Sequence, residues 1–342
     1  MKKIIAIAFL LLFAIGGWFG YRYYQTYKAN NVAQEGTFHI PTGAEYQQVL
    51  DSIRPFVKNF EHFKTVAEKR NLAQNIHPGK YKIVDNKSNS ELVMMLKNGL
   101  QMDIPFRIGD FGDVYQMMGR VARKTEVDSL TFIKEFDNIA KNKGLNNAED
   151  LKKYFFIDTY NFFWTVKPSE FFKRFEDQYN QFWNTERKAK AQQSGLTESQ
   201  IYALASIVYK ESGGKPDEQA TIAGLYLNRY RKGMKLQSDP TVIYAINKDV
   251  NFTKPIKRVL YKHLTHPSPY NTYANAGIPP GPICVVDKNA VDAVLNPEKH
   301  NYIFMAADPD KLGYHRFTAS DVEHAKNAKD YQAWLNSKNI KK

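Results

Sequence analysis

One stretch near the N-terminus limits the whole architecture. Residues 4–21 are apolar or glycine and carry no charge. A helix of that length is at the short end of what crosses a membrane. Met1, Lys2 and Lys3 precede it, and Trp18, Tyr21, Tyr23 and Tyr24 gather at its far end as an interfacial aromatic belt does. The two lysines predict a cytoplasmic N-terminus (residues 1–3), although Arg22 and Lys28 on the other flank weaken that bias. No small-residue cleavage site follows, so the stretch reads as a retained transmembrane helix; a cleaved signal peptide is the competing reading. No second apolar span occurs, which puts everything beyond about residue 25 on the far side of the membrane.

The chain of 342 residues is long enough for two or three domains with their own cores. With 21 Tyr and 22 Phe, disorder over most of the length is excluded. The net charge of +13 is spread without a dense basic run, which argues against a nucleic-acid partner. It is compatible with work near an anionic membrane or wall, but a merely lysine-rich composition is the better explanation. Cys284 stands alone, so no intramolecular disulfide is available, and no Cys/His cluster has zinc spacing. No metal or other cofactor is expected. His315 and His324 are too far apart for a helical metal pair and read as surface or internally satisfied histidines.

The order of elements predicts an α+β chain. Residues 22–36 look like a polar tether. Residues 37–100 then alternate strand, helix, helix, strand, helix, with Ser90 as the N-cap of the last helix and Asn98-Gly99 as its stop. This small module resembles a LysM-like carbohydrate-binding fold. A connecting α+β unit follows over 101–150, and a mostly helical domain with short strands over 151–342. There, residues 154–160 read as an aromatic core strand, 168–193 as one long amphipathic helix, and 216–232 as a helix with Pro at its first turn. Asp239-Pro240 opens a further helix. A loop rich in Pro, Gly, Asn and Thr spans 261–283, and such loops often form sites. Residues 302–307 read as a core strand, and the tail beyond Ser320 as a polar helix.

Residues 196–211 have the clearest helical signature. Thr197 and Gln200 have capping-box spacing, and Leu196 and Ile201 the spacing of a hydrophobic staple. Ile201, Leu204, Ala205, Ile207 and Val208 make one apolar face, while Ser199, Tyr202 and Ser206 mark the polar side. At ~100° per residue, Glu211 projects about 20° from Leu204 and about 60° from Val208. Gly213-Gly214 ends the helix beyond it. A buried carboxylate at the negative end of a helix dipole is hard to ionise and suits a general acid. The alternative is a frayed, solvent-exposed last-turn residue.

Several stretches then combine. They are Leu204-Ala205-Ser206-Ile207-Val208 with Lys210-Glu211, Ile222-Ala223-Gly224 with Asn228-Arg229, and the run from Leu236 through Gln237, Ser238, Asp239, Pro240 and Thr241 to Tyr244. They continue with Tyr270-Asn271-Thr272-Tyr273, Gly277-Ile278-Pro279-Pro280-Gly281-Pro282-Ile283, and Gly313, His315 and Phe317 at alternate positions. In that order and spacing the chain resembles the endolytic murein transglycosylases, the MltG-like (YceG-like) group, over residues 37–325. The motifs are long and specific in the C-terminal half and looser in the N-terminal half. The resemblance implies a lyase that cuts peptidoglycan glycan strands between MurNAc and GlcNAc, leaves 1,6-anhydro-MurNAc ends and terminates glycan elongation. It implies Glu211 as the catalytic acid and peptidoglycan synthases (penicillin-binding proteins) as partners. It also implies a single-pass protein of the bacterial inner membrane with a periplasmic catalytic domain. Two departures stand out: Tyr209 replaces a second glutamate common in the family, and Tyr154 to Tyr160 lacks the family's Gly and Pro.

The chemistry accords with these residues. A transglycosylase uses no external water and so needs no second carboxylate to activate one. One acid protonates the departing glycosidic oxygen, and the same group, as a carboxylate, can take the proton of the attacking MurNAc C6 hydroxyl. Gln237, Ser238, Asp239, Thr241, Tyr244, Tyr270, Asn271, Thr272, Tyr273 and Asn228 are the expected substrate-binding residues. Asp239 could instead cap its helix, and Asn271 could instead hold the loop. Two rivals stand beside this reading. One is a hydrolase of the same polymer in which Asp217 or Glu218 supports a water; the other is a non-catalytic wall-binding scaffold.

Overall fold

The computed structural model describes residues 2–256 and 258–338. The chain divides into two compact units. The first comprises residues 1–105, 122–128 and 161–167. It begins with α1 (Lys2–Tyr27), long and apolar enough to cross a membrane, none of whose residues is buried. No tether follows it. Asn30 and Val32 form bridges with Ser88 and Val57, and Val32 is buried. The Asn31 amide donates to Asn89 Oδ1 (2.6 Å) and to the Asn59 carbonyl, while its own oxygen accepts from Asn59 N–H. Asn89 in turn donates to the Thr26 carbonyl in the last turn of α1. Local polarity suggested a solvated linker, but these asparagines are consumed in a buried hydrogen-bond network.

The rest of this unit runs β1 (Gly36–Ile40), α2 (Tyr46–Ile53), α3 (Phe60–Lys69), β2 (Gly79–Ile83) and α4 (Asn89–Lys97). Strands β1 and β2 pair antiparallel with Phe38 opposite Tyr81. Alternate residues Phe38, Ile40, Tyr81 and Ile83 point inward onto Val49, Ile53, Phe63 and Leu92. The N-cap of α4 is Ser88, not Ser90. Ser88 and Glu91 form a reciprocal capping box, in which Ser88 N–H donates to Glu91 Oε2 at 2.9 Å.

The second unit comprises residues 106–121, 129–160 and 168 onward. Strand β3 (Ile104–Ile108) leads into it, and α5 (Val114–Ala122) and α6 (Ser129–Asn142) follow. The aromatic stretch is only partly strand: a 3₁₀ turn covers Ala148–Tyr154, and β4 starts at Asp158 (Asp158–Phe162). The expected long helix is two, α7 (Pro168–Phe182) and α8 (Thr185–Ser194), because Asn184 turns extended and caps α8 by accepting from Arg187 N–H.

The centre of this unit is α9 (Glu198–Glu211), with Thr197 and Gln200 closing its capping box. Its neighbours are α10 (Pro216–Arg231), α11 (Asp239–Asp249), α12 (Lys288–Leu295) and α8. Every residue from Ile201 to Val208 is buried, so the middle of α9 has no solvent face. Burying Ile201, Leu204, Ile207 and Val208 contributes roughly 1.5–3 kcal/mol each. The side that reads as polar is turned inward. Tyr202 donates to the Phe155 carbonyl and accepts from Val286 N–H, and Ser206 accepts from Ile283 N–H. Each hydroxyl satisfies a backbone group that burial would otherwise orphan.

The chain closes with β5 (Phe304–Ala307), β6 (His315–Thr318) and α13 (Asp321–Ser337). The two strands pair antiparallel, with Met305 opposite Phe317 and Ala307 opposite His315. β5 is no core strand: all four of its residues keep partial solvent access.

Candidate active site

Glu211 is the last residue of α9, and Gly213 and Gly214, both at positive φ, turn the chain away behind it. Its side chain reaches the floor of a cleft of about 330 Å³. Two hydroxyls converge on one of its oxygens. Tyr226 Oη of α10 donates to Oε1 at 2.8 Å, and Ser238 Oγ donates to the same atom at 2.6 Å. Among the described residues nothing bonds Oε2, which is therefore the oxygen available to a ligand. Desolvation in the packed end of α9 raises the Glu211 pKa. The Ser238 and Tyr226 hydrogen bonds and the nearby His315 act in the opposite direction, and Asp239 adds to the rise. The residue keeps partial solvent access through the cleft, so it is neither the frayed surface residue nor a sealed one.

Ser238 is the N-cap of α11, yet its hydroxyl makes no cap bond because it points at Glu211. Asp239, expected as the cap, is instead the first helical residue. It is exposed in the cleft and accepts from the Tyr273 hydroxyl at 2.7 Å. Gln237 holds a left-handed backbone (φ 54°), a conformation that costs a non-glycine residue on the order of 1 kcal/mol. It is tied there by its N–H to the Thr272 carbonyl (3.1 Å) and by its Oε1, which accepts from Arg229 Nη2. Arg229 also donates to the Lys235 and Ile303 carbonyls. With its oxygen so held, the Gln237 amide N–H groups are left for the cleft.

The structure thus brings Glu211, Gln237, Asp239 and Tyr273 to one cleft, with Ser238 beneath them. The other expected residues lie behind that surface. Thr241 and Thr272 are buried and bonded to each other (2.8 Å); Thr241 also donates to the Ser238 carbonyl and Thr272 accepts from Ser238 N–H. Asn271 donates to the Leu264 and His266 carbonyls and accepts from Tyr273 N–H, holding the loop. Tyr244 and Tyr270 pack ring to ring at 4.8 Å, and the Tyr244 hydroxyl accepts from buried Lys152. Asn228 donates to the His300 and Tyr302 carbonyls, away from the cleft. The same face of α10 explains Gly224: a Cβ there would lie 2.5 Å from the Glu298 carbonyl oxygen.

Tyr226, His315 and His324 line the cleft but were not among the expected site residues. Tyr226 sits in α10 between Gly224 and Asn228 and could have been found from that motif alone. His315 stands in the Gly313–Phe317 motif and could have been found in the same way, whereas His324 carries no such signal; neither is a plain surface group. His324 stacks on Phe304 at 4.9 Å, and both line the cleft. His315 Nδ1 lies 2.9 Å from Glu218 Oε2, and its backbone N–H donates to Glu218 Oε1 at 2.8 Å. Glu218 is buried and stands behind this histidine, whereas Asp217 is exposed and bonded to the Tyr314 hydroxyl. A second hollow of about 820 Å³ adjoins the cleft across Asp239 and Tyr273. Arg258, Lys262 and the fully exposed Tyr261 line it.

The comparisons agree with one another. A protein named endolytic murein transglycosylase from Bacillus subtilis is 28% identical over 324 residues, covering 94% of this chain and 78% of that protein. One of the same name from Streptococcus pneumoniae is 24% identical, covering 95% of this chain but 63% of its own length. The fold is shared with a yceG-like protein of Listeria monocytogenes, solved by crystallography. Its TM-score is 0.56 at 23% identity, over 85% of this chain and 98% of that one. The sequence pattern of the YceG-like family matches residues 38–330, most of the chain and all of the cleft described above, and the chain belongs to that family.

Proposed function

We propose that this protein is a membrane-anchored lytic transglycosylase that cuts peptidoglycan glycan strands between MurNAc and GlcNAc and leaves 1,6-anhydro-MurNAc ends. The observation that carries the proposal is the state of Glu211. Its pKa is raised by burial, its Oε1 is held by two hydroxyls, and its Oε2 is free toward an open cleft. A carboxylic acid with its pKa so raised can give its proton to the departing glycosidic oxygen. The MurNAc C6 hydroxyl then attacks C1 in place of water. The Gln237 amide offers donors to an N-acetyl carbonyl, and Tyr273 offers a ring face to a sugar. α1 anchors the protein in the inner membrane with its N-terminus cytoplasmic and the rest periplasmic. Residues 37–100, which share the β-α-α-β order of LysM-like carbohydrate binders, contribute a second hold on the strand. Cleavage within the strand, ending its elongation beside a synthase, accords with a cleft that continues into the hollow beyond Asp239 and Tyr273.

One observation favours a second reading. Asp239 shares the cleft, and a hydrolase would use such a second carboxylate to activate water. Mass spectrometry of products from purified glycan strands separates the two: anhydro ends of intermediate length are expected, and reducing ends would establish hydrolysis. Disaccharide-sized anhydro products alone in early digests would overturn mid-strand cleavage.

A further inference from the structure

We propose that His315, oriented by Glu218, is the base that takes the proton of the attacking C6 hydroxyl, so that Glu211 acts as the acid alone. The inference rests on the lytic reading above and divides a task that a single-carboxylate scheme gives wholly to Glu211. Its starting point is a buried pair that ties β6 to α10 beside the cleft. Glu218 is buried at 6% exposure in the first turn of α10, and both its oxygens are engaged by one residue 97 positions away. One accepts the backbone N–H of His315 and the other lies 2.9 Å from its Nδ1. That double contact sets both the place and the rotation of the ring.

A carboxylate accepts hydrogen bonds only, so a neutral His315 carries its proton on Nδ1 and a lone pair on Nε2. Nε2 has no partner among the described residues, and the ring lines the same cleft as Glu211. This is the arrangement of a general base with its orienting carboxylate, and Glu218 is placed to stabilise the imidazolium that would form. Glu211 is differently built. Both hydroxyls bound to its Oε1 favour a carboxylate, but burial outweighs them and raises its pKa, and its Oε2 is left free toward the cleft.

The step balances. Oε2–H of Glu211 passes its proton to the GlcNAc O4 as the C1–O4 bond breaks. The MurNAc O6 forms its bond to C1 as its proton passes to His315 Nε2. The enzyme is left with a Glu211 carboxylate and a His315 imidazolium, and one proton returned through the emptied cleft resets both.

The test uses leaving-group dependence, which a merely structural role would not move. The full-length protein is assayed on purified glycan strands and on a 4-nitrophenyl glycoside of GlcNAc-MurNAc, whose leaving group needs no acid. His315→Gln is expected to lose about 10²-fold in kcat on both substrates. Glu211→Gln is expected to lose as much on strands but to regain most activity on the aryl glycoside. Glu218→Gln should lower kcat at unchanged KM, and Glu218→Asp should recover part of that loss; thermal melting confirms that each variant is folded. Near-wild-type turnover by His315→Gln on strands overturns the proposal. So does a Glu211→Gln variant equally inactive on both substrates, because Glu211 would then serve as base as well. Reducing ends from the wild-type protein would instead defeat the lytic reading on which the proposal stands.

Discussion

Two glutamates at opposite helix ends, one in each unit, show how little the residue type decides. Glu91 stands in the first turn of α4, where Ser88 N–H and Oγ both donate to its Oε2 and Lys87 lies 3.1 Å from Oε1. Those bonds, with the Ser88 backbone the largest contributor, pull its pKa down to about 2 in a side chain that is half-exposed. Glu211 closes the last turn of α9 and also receives two hydrogen bonds, from Tyr226 and Ser238. Its pKa nevertheless rises, because desolvation outweighs them. Hydrogen bonding at the positive end of a helix in contact with water makes a permanent anion. The same number of bonds at the negative end of a helix, on a carboxyl packed against protein, leaves the pKa raised. The first glutamate stabilises its unit; the second, on the function proposed above, gives its unit an acid at a cost to stability.

Replacing each by glutamine should break this contrast most visibly. Glu211→Gln is expected to lower turnover on sacculi by about 10²-fold or more. A raised folded-state pKa contributes stability below the ordinary value of 4.5 and loses it as pH rises through the raised one. At neutral pH the variant should therefore melt at or above the wild-type temperature, and calorimetry beside an activity assay checks both halves. A lower melting temperature would mean that the carboxylate is structural.

The second expectation sharpens the balance at Glu211. Ser238→Ala removes a bond that favours the carboxylate but no helix cap, since that hydroxyl makes none. The alkaline limb of the pH–kcat profile should move upward by up to about one unit, from a charge-assisted bond of ~1.5 kcal/mol. A downward movement would show that the serine serves the protonated form.

The smallest effect belongs to Glu91. A depressed pKa contributes stability above the ordinary 4.5 that is lost as pH falls toward about 2. Glu91→Gln should cost less than about 1 kcal/mol at pH 7, since glutamine can still close a capping box, and the deficit should disappear near pH 2. Turnover of short glycans should be unchanged. Urea titrations at both pH values read the difference, and an equal deficit at pH 2 would remove the charge from the explanation.

Much of this protein follows from local pattern. The uncharged run of residues 4–21 specifies a helix long and apolar enough to cross a membrane, because length and composition alone set both properties. The ends of α9 are written in Thr197, Gln200 and Gly213, since capping depends on groups within one turn. The position of Glu211 at the edge of the apolar face follows from helical periodicity. Tertiary structure alone decided the rest. Periodicity assigns a polar face on the assumption that water lies on the other side. Around the middle of α9 protein lies on every side, and Tyr202 and Ser206 became internal hydrogen-bond partners. The asparagines after α1 likewise read as linker until their partners, 28 and 58 residues on, are in place. The partners of Glu211 follow the same rule. Ser238 is 27 residues away, and the Glu218–His315 contact spans 97, distances over which sequence carries no geometric information. The ionisation of Glu211 is the last thing to be decided, because desolvation depends on everything packed around the carboxyl and on nothing local to it.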